Sequence, residues 1–188
     1  MKRFVVVVIL VVFAGCHHAK PYKPPLDPAR PNPFVDNPPV MLPTALRTDN
    51  YGRGGSCLHA ATADALTGAG QRQLARWWTQ NHIGGANAWN LMPELDRAGI
   101  PYVATFKGEE SVLEWCSRTR RPAVIHWQGG AHAITFCGYA GGQACLIDNN
   151  NTSRVRRMPK AEFLNEWKDA DGGVALAIIG TPLPPRPW

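Results

Sequence analysis

The cysteine in "RGGSCLHAATADAL", residues 53–66, is not set among large apolar residues. Cys57 follows Gly54, Gly55 and Ser56, a loop ending in a helix cap, and precedes alanines that favour helix. A thiol at the first position of a helix faces backbone N–H groups and the positive end of the helix dipole. Both lower its pKa and favour thiolate. A thiolate can attack an acyl carbon if an imidazole carries the proton. The segment "GGAHAITFCGY" supplies His132, and "LIDNN" supplies Asp148. The two segments read as a hairpin joined through Ala140-Gly141-Gly142. With the turn near Gly141, paired residues have numbers summing to about 282 or 283, and His132 with Asp148 gives about 280. They are near-opposite or diagonal neighbours. Alternation puts His132 with Ile134 and Phe136, and Asp148 with Leu146 and Ala144. A shared face lets the carboxylate orient the ring.

The elements that must position these groups follow from periodicity and punctuation. A helix is predicted from Cys57 to the glycines at 68 and 70, a second over 71–82, and a third over 90–98 ended by Gly99. Pro93 fits only the first turn of that third helix. Strands are predicted at 101–106, 123–127, 132–139 and 143–148, with "RVRRM" as a further strand and 173–180 as the closing one. Helices are predicted at 109–119 and at 159–168, the latter with Pro159 in its first position. Helices first and a mostly antiparallel sheet second make an α+β domain.

The ordered set resembles the papain-like cysteine peptidases, and most the compact bacterial branch that trims double-glycine leader peptides. The resemblance covers roughly residues 50–180. A cysteine heads the first helix, "GGANAWNLMPELDRAGI" matches a helix of the G…L…L…G kind, "GGAHAITFCGY" holds a glycine-flanked histidine, "LIDNN" ends a hairpin in aspartate, and "AEFLNEW" carries the late aromatic pattern. The resemblance implies a papain-like fold with a catalytic helix in an N-terminal helical part packed on the sheet. It implies Cys57 as nucleophile, His132 as general base and acid, and Asp148 as orienting residue. Asn149 is the reserve for that third role, which papain gives to an asparagine. The family's oxyanion-donating glutamine stands about six residues before the cysteine. Here that position is Tyr51, and no glutamine occurs upstream of Cys57. Asn50, seven residues before the cysteine, is the oxyanion candidate, to act together with the backbone N–H of Cys57.

The remaining cysteines and histidines read more plainly. Cys137 and Cys145 both fall on the hairpin face turned away from His132 and are either two core residues or a cross-strand disulfide, which an oxidising envelope permits. Cys116 reads as core, His59 points elsewhere on the first helix, and His126 reads as a satisfied strand residue. The tryptophans at 77, 78, 89, 115 and 167 read as core, with one or two left to line a groove. No CxxC or HxxxH spacing supports zinc on Cys57, His132 and Asp148, and neither metal nor cofactor is expected.

"MKRFVVVVILVVFAGC" has a basic start, an apolar run and small residues before a cysteine. It reads as a secretory signal over 1–15 and resembles the bacterial lipobox, with Cys16 the lipidated residue. Residues 16–50 form a proline-rich, semi-rigid linker, 51–180 the domain, and 181–188 a second proline-rich end. The formal charge of +6 includes Lys2 and Arg3, so removing 1–15 leaves +4. Two arginine clusters, Arg118-Arg120-Arg121 and Arg154-Arg156-Arg157, read as solvated surface, and no motif suggests nucleic acid. The expected protein is a thiol hydrolase held in the cell envelope by lipid, on the periplasmic or outer side. Leader trimming takes place on the cytosolic side of an exporter, so the expected substrate is another peptide or protein, wall peptide included. An impaired papain-like domain that only binds peptides and a transglutaminase-like acyl transferase are the alternatives.

Overall fold

The computed structural model describes residues 38–50, 57–82 and 84–179. The signal segment, Cys16, the linker through residue 37, Tyr51, the Ser56 cap and the tail lie outside the described residues. Three helices come first: α1 (Cys57–Gly68), α2 (Arg72–Asn81) and α3 (Ala88–Arg97). Strand β1 (Tyr102–Thr105) and helix α4 (Glu110–Thr119) follow. Then come β2 (Ala123–Trp127), β3 (His132–Ala140), β4 (Gln143–Ile147) and β5 (Val155–Pro159). Helix α5 (Lys160–Asp169) and β6 (Ala175–Ile178) complete the order. The strands form one sheet, β1-β6-β2-β3-β4-β5, with every pair antiparallel.

Both faces of the sheet are covered. On one, Leu58, Ala61, Ala65 and Leu66 of α1 pack with Trp78, Leu91 and Leu95 against Val124, Ala133 and Leu176. On the other, Leu113 and Trp115 of α4 and Phe163 and Trp167 of α5 pack against Ile125, Trp127, Ile134 and Phe136. Helix α1 is enclosed between α2 and the sheet, with Leu58 through Leu66 all buried. Its alanines make this possible, because small side chains let two neighbouring layers approach one helix.

Four local features differ from the sequence reading. Helix α3 starts two residues early because Asn87 caps it, its side chain accepting from the Asn90 N–H at 2.9 Å. Pro93 then falls inside the helix, past the first turn, where it removes the bond to the Trp89 carbonyl. Pro159 ends β5 and caps α5 rather than starting it. Residues 38–50, read from their prolines as linker, lie against the domain. The Val40 N–H donates to the Cys137 carbonyl at 2.9 Å, Arg47 Nη1 donates to the Thr152 carbonyl at 2.6 Å, and the Thr48 N–H donates to Asp64 Oδ1 at 2.7 Å.

The hairpin of β3 and β4 contains a bulge. Phe136 pairs with Leu146, but the next pair is Gly138 with Cys145, so Cys137 is the extra residue. Gly138 takes φ +130, and a Cβ there would press on Pro39 at 3.3 Å. The bulge sets Gly138, not Cys137, across from Cys145. Both cysteines are free, buried thiols in a cluster with Leu42 and Ile147, so the disulfide alternative gives way to the core one. Burial pushes both thiols up.

Candidate active site

Cys57 is the first residue of α1 and is half-buried. His132 opens β3, and Asp148 directly follows the last residue of β4. Extending the Thr135–Ile147 pair by one residue sets Asp148 across from Ile134, one diagonal step from His132. Ile134 and Phe136 enter the core under α4 and α5, whereas His132, at the open end of the strand, meets Cys57. His132 Nε2 lies 2.9 Å from Asp148 Oδ1. That leaves Nδ1 as the ring nitrogen for the thiol. The three residues singled out for catalysis are therefore brought together, with His132 7% and Asp148 23% exposed.

The electrostatics favour a charged pair. Partial burial alone would push the Cys57 thiol up. The hydrogen bond from His132, the Ala133 N–H, the charge of His132 and the Leu58 N–H outweigh it and hold the thiol below the ordinary cysteine value. Burial likewise opposes charge on His132, but the bonds to Asp148 and Cys57, with their charges, push it up to about 9. The bond from His132 holds Asp148 below the usual carboxylate range against its own burial, with help from the Asn150 N–H and the charges of His132 and Arg156. A thiolate–imidazolium pair attacks carbonyl carbon and returns the proton to the leaving group.

Neighbouring residues complete the surroundings. The Asn50 N–H donates to the Asn149 carbonyl at 3.1 Å, which brings the oxyanion candidate beside the site. Asn149, the reserve third member, does not face the imidazole. Its Nδ2 donates to the carbonyls of Cys57, at 2.9 Å, and Ala133, at 2.8 Å. Sequence reasoning missed Asn150, whose N–H donates to Asp148 Oδ1 at 2.9 Å and whose side-chain amide lies 3.2 Å from His132 Nε2. The atom placed nearest the ring is Nδ2, and since Nε2 carries a proton when it bonds Asp148, this contact becomes a hydrogen bond only with the amide turned to present its oxygen. The signal was available in the second asparagine after Asp148, a common Asx-turn position.

The other sequence candidates stay outside the site. His59 packs against Trp78 and His82 at ring separations of 5.9 and 5.4 Å, and burial holds its imidazole below the ordinary value. His126 bonds Asp171 at 2.9 Å. Trp78, Trp115 and Trp167 are core, but Trp77 is exposed and Trp89 is 63% exposed, stacked on Phe106 at 4.3 Å. Among the described residues no group of His, Cys, Asp and Glu is arranged to hold a metal ion.

No protein-family profile matches the chain, and no curated protein matches it by sequence. Solved structures do. A double-glycine-motif protease from an AMS/PCAT transporter, crystallised with the leader peptide, matches with a TM-score of 0.52 at 18% identity, over 74% of this chain and 92% of that one. The fold is that of a papain-like peptidase domain. The peptidase domain of Streptococcus ComA matches at 0.49 with 17% identity, over 68% and 93%, and that of Streptococcus mutans ComA at 0.48 with 18%, over 71% and 97%.

Proposed function

We propose that the chain is a cysteine peptidase or related thiol hydrolase that cleaves peptide or amide bonds in the cell envelope. The observation that carries this reading is the continuous chain Cys57–His132–Asp148, with the thiol at a helix N-terminus. Cys57 thiolate attacks the substrate carbonyl carbon. The oxyanion that forms is met by the Cys57 N–H and by Asn50, one residue before the position at which the resembled family has glutamine. His132 protonates the leaving amine, the C–N bond breaks, and the acyl group stays on sulfur. His132 then takes a proton from water, and hydroxide releases the acid. Asp148 holds the ring with Nε2 protonated and Nδ1 toward sulfur. The substrate is a peptide or protein, in keeping with the leader peptide bound by the transporter protease of the same fold. Lipid on Cys16 anchors the domain.

The test is labelling of the purified protein by a peptidyl acyloxymethyl ketone, with Cys57→Ala as control. Labelling is expected on Cys57 alone, ahead of Cys116, Cys137 and Cys145. Asn50→Ala is expected to lower turnover of a cleaved peptide by about 10–10³-fold with little change in KM. A parent protein that binds peptides, leaves them intact and does not label at Cys57 would favour the binding-only reading, which the missing upstream glutamine also supports.

A further inference from the structure

We infer that Asn149 is a positioning residue whose buried side-chain amide clamps the cysteine-bearing helix to the histidine-bearing strand, and so sets the thiol–imidazole geometry. The inference rests on the cysteine-peptidase reading of Cys57 and His132. Strand β4 ends at Ile147, so the backbone ladder with β3 stops there. Extending the Thr135–Ile147 register by two residues sets Asn149 across from Ala133. The side chain takes over where the backbone leaves off, one Nδ2 proton meeting the Ala133 carbonyl at 2.8 Å. The second meets the Cys57 carbonyl at 2.9 Å. One planar NH2 group thus joins the residue that carries the thiol to the residue next to His132.

Three observations separate this from ordinary packing. The Cys57 carbonyl belongs to the first turn of α1, where the helix itself supplies an N–H, so the Asn149 bond is additional to what the backbone needs. Asn149 is 0% exposed, and its Oδ1 is buried without a partner among the described residues. An unpartnered buried oxygen is unfavourable, so what holds an amide here is its two donors. The Ala133 N–H also approaches the Cys57 sulfur, so the clamp holds the same residue whose N–H stabilises the thiolate. No near substitute does this. Ionised Asp has no donor, Ser has one, and Gln is a methylene too long for a filled site.

The experiment is the pH dependence of iodoacetamide alkylation at Cys57 in the full chain, read by mass spectrometry of the Cys57 peptide. His132→Ala defines complete loss of coupling. In the parent, the inflection is expected below that of an ordinary thiol. Asn149→Ala is expected to move it up by about one pH unit and to slow alkylation near pH 6 by roughly tenfold, with circular dichroism unchanged. Asn149→Leu keeps the volume and is read the same way where the alanine variant does not fold. If either folded variant keeps the parent inflection, the positioning role is overturned while the thiolate reading stands. If the parent thiol itself titrates as an ordinary cysteine, the thiolate reading falls and takes the positioning role with it. A measurement on the unmutated chain guards against both variants unfolding. The Asn149 side-chain 15N resonance is expected to shift with the midpoint of the Cys57–His132 pair, and a resonance indifferent to that titration would overturn the role.

Discussion

The β2–β3 hairpin carries two imidazole–carboxylate pairs of equal length, His132–Asp148 and His126–Asp171, both at 2.9 Å. They differ in what surrounds them. His132 gives Nε2 to its aspartate and keeps Nδ1 for a thiol, and its aspartate is 23% exposed and held by the Asn150 N–H. His126 gives Nδ1 to an aspartate that is 53% exposed. Asp171 takes φ +51 and packs so tightly over Gly130 that a Cβ there would run into its carboxylate. That pair fastens the β2–β3 turn to the α5–β6 turn. An imidazole held by a carboxylate is thus a common structural joint. It becomes chemical where a nucleophile stands at the second ring nitrogen.

The sharpest way to break this comparison is to remove each ring. His132→Ala is expected to slow acyloxymethyl ketone labelling of Cys57 by about 10²–10⁴-fold. His126→Ala is expected to leave that rate within about threefold and to cost about 1–2 kcal/mol in thermal unfolding. Equal losses of rate in the two variants would erase the distinction.

Removing the carboxylates gives a smaller and more specific contrast. His132 is raised from its usual 6.5 to about 9 in the fold, so the stability it contributes is complete below about pH 6.5 and is lost as pH rises through about 9. The thiolate–imidazolium pair breaks at that same alkaline limb. Asp148→Asn removes a carboxylate that supports the imidazolium, and the limb is expected to move down by about one to two pH units in the labelling profile. Asp171→Asn is expected to leave the limb in place.

The smallest effect on the thiol concerns a carboxylate with no histidine. Asp64 is fully buried on α1, and burial, only partly offset by bonds from Thr48 and the charge of Arg47, raises it from 3.8 to about 7. The fold therefore favours the neutral acid, and that contribution is complete below about pH 4 and gone above about 7. Asp64→Asn keeps an acceptor for the Thr48 N–H. It is expected to raise stability at pH 8 by on the order of 2–4 kcal/mol in denaturant unfolding and to change nothing near pH 3.5. Labelling of Cys57 at pH 6 is expected to be unaffected.

The His132–Asp148 pair was legible because it is local. Sixteen residues separate His132 from Asp148, and the two lie on one hairpin whose turn announces itself in Gly141 and Gly142. Counting from that turn is enough to make them neighbours. Forty-five residues and a helix separate His126 from Asp171, and no pairing rule reaches across them. The helix of Cys57 was legible from its alanines, and the order of strands and helices from alternation and glycine punctuation. The packing of residues 38–50 was not, because it depends on single contacts, Val40 to Cys137 and Thr48 to Asp64, that leave no periodicity. Pro93 misled because a proline inside a helix is tolerated where burial of Leu91 and Leu95 outweighs the missing bond. The two donors of Asn149 stayed hidden because they serve carbonyls, and every residue has one.

The bulge at Cys137 has a consequence for how the hairpin tolerates change. A one-residue slip in a strand turns every side chain beyond it to the opposite face. Here one such slip is already built in, between Phe136 and Gly138. The hairpin is two ladders in series, half a pleat out of phase. Only the ladder nearer the loops sets His132 against Asp148. Adding a matched pair of residues to the tip, beyond Gly138 on one strand and before Cys145 on the other, lengthens the second ladder and leaves the phase of the first untouched.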